Sequence, residues 1–280
     1  MNQMNLDVPI HQLLFSTVRI EATTSKGIAV GTGFITLYES NGKQYLFLVA
    51  NKHLVQDATI GKFFFTKSDG TNPLIGKRFD IEVSNFEQSC FGHPSSDIDV
   101  AVMPLLPMLN EIKKQGQEVY FRSIPLSLIP TREQQESLTA LEEVIFVGYP
   151  NSIYDTRNLL PIIRKGTTAT PISIDYEGKP LFLIDASVFP GSSGSPVMIY
   201  NQGSYATPKG ITIGTRIHFL GLICQVLIRE EQGTISFAPI PTLQGPIVRT
   251  AQMIDLGVVF KGRVVVETIE AFLRKSGGLP

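Results

Sequence analysis

Cysteine is scarce in this sequence, histidine nearly so, and neither sign of charge is in excess. The 280 residues include 2 Cys and 4 His. Cys90 and Cys224 lie too far apart for a zinc or redox motif, and so few cysteines exclude the disulfide framework typical of small secreted domains. Buried free thiols are the expected state of both, although a single bridge between them stays open. Lys and Arg number 24 against 25 Asp and Glu, so no electrostatic pull toward nucleic acid or an anionic membrane is expected. No stretch approaches the roughly 18 to 20 consecutive apolar residues that a spanning helix needs. The start, MNQMNLDVPIHQLL, lacks the basic and apolar regions of a signal peptide. Together with the cysteine usage this predicts a cytoplasmic protein. The histidines have no ligand spacing such as H-E-x-x-H, so neither a metal nor a cofactor is expected.

What the sequence does contain is short β-branched and aromatic runs punctuated by Gly, Asn, Asp and Ser. LFSTVRIEA from Leu14, IAVGTGFITLY from Ile28, QYLFLVA from Gln44 and KFFFTK from Lys62 read as strands of an all-β fold. Asn41-Gly42, between two such runs, is the strongest short hairpin signal. PLLPMLNEIKKQGQEVY from Pro104 breaks the pattern and reads as a linker between halves. The strand pattern then resumes in VIFVGYP from Val144, LFLIDA from Leu181, SPVMIY from Ser195, IHFLGLICQVLI from Ile217 and TISFAPI from Thr234. Only GRVVVETIEAFLRKSGG reads as a helix, with Val265, Ile269 and Leu273 on one face and glycines suited to a C-cap. The expected architecture is two β-barrels, residues 1–110 and 111–280, followed within the second part by a C-terminal helix.

Gly191-Ser192-Ser193-Gly194-Ser195-Pro196 carries the chemistry. An acyl-transfer nucleophile must sit on a tight turn whose backbone N–H groups face the developing oxyanion, and residues without a Cβ reach such angles most easily. The expected donors are the N–H groups of Gly191 and Ser193. An ordinary Gly/Ser turn would look the same, so the motif needs partners. A serine hydroxyl becomes nucleophilic only beside a base. His11, His93 and His218 stand in contexts that suggest structural or surface roles, whereas His53 follows an apolar strand where it could project at a barrel rim. On context alone even His53 reads as non-catalytic. The carboxylate that would orient a histidine is offered twice, by Asp97 and Asp99, and strand alternation does not choose between positions two apart.

ANKHLV, DVAV and GSSGSPV, with GTGF ahead of the first, resemble the histidine, aspartate and serine motifs of trypsin-like serine proteases, in that family's order. The spacing of 46 residues from His53 to Asp99 and 94 from Asp99 to Ser193 suits two barrels of that fold. The resemblance spans nearly the whole chain and is most specific at the serine motif. It implies two six-stranded antiparallel barrels of the chymotrypsin type, the first carrying His53 and Asp99 and the second Ser193. The implied activity is a serine endopeptidase in which Ser193 is the nucleophile, His53 the general base and Asp99 the orienting carboxylate, with Asp97 as a minority candidate.

Where secreted members of the family have an aspartate before the nucleophile, this chain has Ser192, so activation by an ion pair with a newly cut N-terminus is not expected. The chain also starts close to its first strand, so a propeptide is not expected. Ser195 takes the place of a more usual glycine. The nearest resemblance is to bacterial domains related to the high-temperature-requirement proteases, here with no peptide-binding domain following the helix. By the same resemblance the substrate pocket has Ser187 at its floor and Cys224 to Val226 along its wall, which implies small or aliphatic substrate side chains. The expected partners are protein or peptide substrates, with a protein activator as an addition. The competing expectation is a binding or signalling module that keeps the fold and stays inactive until a partner orders the loop around Pro190 to Ser193. An α/β-hydrolase esterase fits poorly, because its elbow needs glycine where Ser195 stands and its triad runs in a different order.

Overall fold

In an extended segment, successive side chains point to opposite faces, and this sequence uses both faces of most of its strands. A computed structural model describes residues 4–150, 153–208, 210–234 and 247–278. The first part contains β1 (Thr17–Thr24), β2 (Gly27–Ser40), β3 (Lys43–Ala50), β4 (Ile60–Ser68), β5 (Pro73–Ser84), β6 (Phe91–Gly92), β7 (Ala101–Pro104), β8 (Val119–Tyr120) and β9 (Ile124–Pro125). They form one sheet in the order β5-β4-β1-β2-β3-β7-β6, with β8 on β4 and β9 on β2. Setting aside the two-residue pairings β6, β8 and β9 leaves the six strands expected. The β2–β3 hairpin turns at Asn41 and Gly42, both at positive φ (51° and 72°), the combination that a tight two-residue turn demands.

The second part contains β10 (Glu143–Gly148), β11 (Ile162–Thr168), β12 (Leu181–Asp185), β13 (Pro196–Asn201), the side hairpin β14 (Ser204–Thr207) and β15 (Gly210–Ile213), then β16 (Arg216–Thr234) and β17 (Ile247–Lys261). Six of these close an antiparallel barrel, β10-β11-β12-β17-β16-β13. The helix Arg263–Lys275 follows. Past Thr234 the predicted strand TISFAPI lies outside the described residues.

Three apolar clusters result. Ile20, Ile35, Leu48, Phe63 and Phe86 fill the inside of the first sheet, and Phe146, Phe182, Ile184, Val197 and Ile223 fill the closed barrel. The alternate residues of the same strands, Phe34, Phe47 and Val49 from the first part with Leu183, Phe219 and Leu222 from the second, meet in the third cluster. Val264, Val265, Ile269 and Leu273 of the terminal helix pack into it. Phe34 and Phe219 touch there with ring centres 5.3 Å apart.

The segment expected to be a linker contains the helix Leu106–Lys114, with Met108 and Ile112 buried in the first sheet's core. The proline that suggested a break sits in the helix's first turn, where a missing N–H costs nothing because no intrahelical acceptor awaits it.

Candidate active site

His53 lies on the helical turn Lys52–Val55, directly after β3. Its backbone N–H donates to one carboxylate oxygen of Asp99 at 2.9 Å, and its ring Nδ1 lies 2.6 Å from the other. A carboxylate only accepts, so the proton belongs on Nδ1 and the lone pair on Nε2. The imidazole is about half exposed and the carboxylate mostly covered, at 51% and 21%. Asp99 is held in turn, since its backbone carbonyl accepts from the Asn51 side-chain amide at 2.8 Å. Asp97 is exposed and interacts with its neighbour Ser96, so the two acids that alternation left equivalent are separated by the structure. Both precede β7, in irregular chain where the strand rule does not apply. Lys52 reaches the carbonyl of Ser95 at 2.6 Å. Burial pulls its ammonium below the usual range, against the opposing fields of Asp99 and Asp97.

Ser193 sits in the loop between β12 and β13, with Gly191 and Gly194 at φ of 88° and 85°. Thr32, on β2, donates from its backbone N–H to the Ser193 carbonyl at 3.0 Å and from its hydroxyl to the Gly191 carbonyl at 2.9 Å. On the other side Gly194 N–H donates to Ile223 at 2.7 Å, and Ile223 N–H donates to Ser195 at 3.0 Å. A Cβ at Gly194 would fall 1.9 Å from the Thr32 carbonyl and 3.6 Å from Asn51 Oδ1, so glycine is required there. That close approach draws the serine loop against the segment leading to His53. Ser193 makes no hydrogen bond to His53 among the described contacts; the two parts meet through Thr32 and Asn51.

Within the loop, Ser192 N–H is taken by Phe189 O at 2.9 Å and Ser195 N–H by Ser192 O at 2.9 Å. The N–H groups of Gly191 and Ser193 have no acceptor among the described residues, and these are the two expected oxyanion donors. Ser195, in its unusual place, is buried with its hydroxyl against Gly148, where an added Cβ would lie 2.0 Å from Oγ. Gly148 therefore makes the room that the serine needs.

The predicted pocket residues converge around β17. Val226 pairs with Gly257, and a Cβ at Gly257 would meet Val188 at 2.8 Å, one residue from the half-buried Ser187. Val226 packs against the barrel core that includes Val188. Cys224 lies where the β16–β17 register shifts, a bulge of the kind that re-aims a side chain, and its thiol points at the Val258 carbonyl, 3.3 Å away. Burial first, then the nearby Asp99 charge, pushes that thiol up to about 12. Cys90 is pushed to about 12 chiefly by burial, and both cysteines are free. Among the described residues no group of three or more His, Cys, Asp or Glu could hold a metal ion, and no helix is long and apolar enough to cross a membrane. Sequence reasoning did not single out Thr32 and Asn51. Both stand inside the quoted motifs GTGF and ANKHLV, but their roles depend on partners far along the chain.

No protein-family model matches the sequence, and none of the curated proteins does. The structure is similar to solved serine proteases. The active form of the Rv3671c protease from M. tuberculosis matches with a TM-score of 0.47 and 15% identity, over 95% of this chain and 84% of that one. The serine endoprotease from Yersinia pestis matches at 0.47 and 13%, over 99% and 69%. An HtrA-type protease, AlgW with tripeptide, matches at 0.48 and 11%, over 95% of this chain and 63% of that one.

Proposed function

We propose that this protein is a cytoplasmic serine endopeptidase acting on proteins or peptides through an acyl-enzyme. The observation that carries the reading is the double hydrogen bond from His53 to Asp99, beside a serine loop whose Gly191 and Ser193 N–H groups have no acceptor among the described residues. In this reading His53 Nε2 takes the proton of Ser193 Oγ as the hydroxyl attacks the scissile carbonyl. The Asp99 carboxylate stabilises the imidazolium that forms. The oxyanion accepts from Gly191 and Ser193, and each such donor is worth about a hundredfold to a thousandfold in rate. His53 then protonates the leaving amine, and water, deprotonated by the same nitrogen, releases the acid and restores Ser193.

Ser187 and Val226 give the substrate pocket no charge and little depth, which favours small or aliphatic side chains on the acyl side of the cleaved bond. The test is digestion of unfolded casein by wild type and Ser193→Ala, with cut sites read by mass spectrometry. Cleavage by wild type alone, after Ala, Val and similar residues, is expected. Equal cleavage by both proteins would refute the assignment. Val226→Gly is expected to shift the cut sites toward larger side chains.

A further inference from the structure

We infer that Thr32 is a positioning residue whose hydroxyl holds one of the two oxyanion donors in place; the inference rests on the endopeptidase reading above. It follows from asking what fixes each peptide plane of the loop. A peptide unit carries one residue's C=O and the next residue's N–H, so anchoring either end orients the other. The Ser193 N–H belongs to the 192–193 peptide, whose carbonyl accepts from Ser195 N–H at 2.9 Å. That donor is held by the loop itself.

The Gly191 N–H belongs to the 190–191 peptide, which has no hydrogen bond at either end among the described residues. Its orientation is inherited from Gly191, a residue at φ of 88° with unusual backbone freedom. The anchors beyond it are the Ser192 N–H to Phe189 bond, internal to the loop, and the 2.9 Å bond from the Thr32 hydroxyl to the Gly191 carbonyl. The hydroxyl's direction is settled as well. Its oxygen accepts from Tyr149 N–H at 3.1 Å, so its single hydrogen is left for Gly191. Thr32 is itself fully buried, so the donating hydroxyl is fixed by its packing. Among the described residues, the Thr32 side chain is the one group outside the loop that hydrogen-bonds to the residue carrying the first donor. Loss of its hydroxyl would free Gly191 to turn its N–H away, leaving an oxyanion site with one donor.

Thr32→Val keeps the shape and removes the hydroxyl, and Thr32→Ser keeps the hydroxyl. In the valine variant kcat on a peptide substrate should fall at least about tenfold and up to about a thousandfold, with KM nearly unchanged, because the donor acts on the transition state. The serine variant should recover most of the loss. Hydrogen exchange of the peptide covering residues 186–196 should speed up in the valine variant and not in the serine variant. Should the valine variant fail to fold, Thr32→Ala set against Thr32→Ser gives the same comparison. Unchanged kcat and exchange in the valine or alanine variant would overturn the inference, and so would equal loss in the serine variant. If wild type neither cuts peptides nor reacts with acylating probes, the endopeptidase reading fails. The exchange measurement then decides separately whether Thr32 holds the loop.

Discussion

Asp99 receives both hydrogen bonds from a single residue, His53, and this ties the imidazole's tautomer to the charge of that one carboxylate. Asp99→Asn would present an amide N–H or a carbonyl to Nδ1 with little change in shape, and the wrong tautomer or an unsupported imidazolium would follow. A fall in kcat of about 10⁴ is expected, with the fold intact by circular dichroism. Asp97→Asn, at an exposed side chain that bonds to Ser96 and not to the ring, should leave kcat within about twofold. Strand alternation could not separate the two acids, because they lie in irregular chain ahead of β7, and only the family resemblance favoured Asp99. The serine loop was legible as a tight turn from its glycines, and as a candidate nucleophile loop only through the family resemblance. What was not legible was the reason for Gly194, a Thr32 carbonyl that arrives from more than 150 residues away. Gly194→Ala should cost both loop geometry and labelling of Ser193, since backbone occupies the space its Cβ would need.

At the scale of elements, strands declared by β-branched and aromatic residues were read where the described residues cover them, whereas β5, β11, the hairpin β14–β15 and β17 were missed, along with the two-residue β6, β8 and β9. Of these, β5 alternates from Phe79 to Ser84 but opens on Pro73 and the charged Lys77 and Arg78, and β11 has two isoleucines followed at once by Arg164 and Lys165. The helix Leu106–Lys114 was hidden by Pro107 in its first turn and by Pro104 just ahead of it, at the end of β7. The terminal helix could be foreseen from its apolar stripe, and its anchor is Ile269, with no exposed surface. Ile269→Ala should destabilise by about 2 to 5 kcal/mol in urea unfolding.

The helix start is also fixed by charge. Asp175 accepts from Lys261 at 2.7 Å and from Arg263. Burial raises its carboxyl, but the hydrogen bonds and charges of Arg263 and Lys261 outweigh that and hold it below its ordinary value. Lys261 has a single carboxylate for company, and burial pulls it down. Because the Asp175 carboxyl is depressed in the folded state, its stabilisation is complete above the ordinary value of 3.8 and disappears as pH falls through the lower folded value. Asp175→Asn should therefore lower Tm at pH 7, and the gap to wild type should close below about pH 3.8. A gap that persists at low pH would point to packing instead of charge.

Across the whole molecule, each half uses one strand face for its own core and the other for a shared cluster, so Phe34 and Phe219 act at the boundary where the two halves meet. The two all-β halves and the terminal helix were legible because strand and helix periods are local. The meeting of Thr32, Asn51, Asp99 and the serine loop was not, because it depends on how the halves are docked. Phe34→Ala should cost about 3 to 5 kcal/mol in stability and reduce the rate of Ser193 acylation even at temperatures where the variant stays folded.

The central claim is that Ser193 is a nucleophile activated by His53. Its most direct test is reaction of the purified protein with a fluorophosphonate, read by intact mass and by mapping the modified peptide. The account predicts one adduct, on Ser193 in wild type, absent from Ser193→Ala and slowed by several orders of magnitude in His53→Ala. A well-folded wild-type protein that forms no adduct, or an adduct that survives Ser193→Ala, would contradict it.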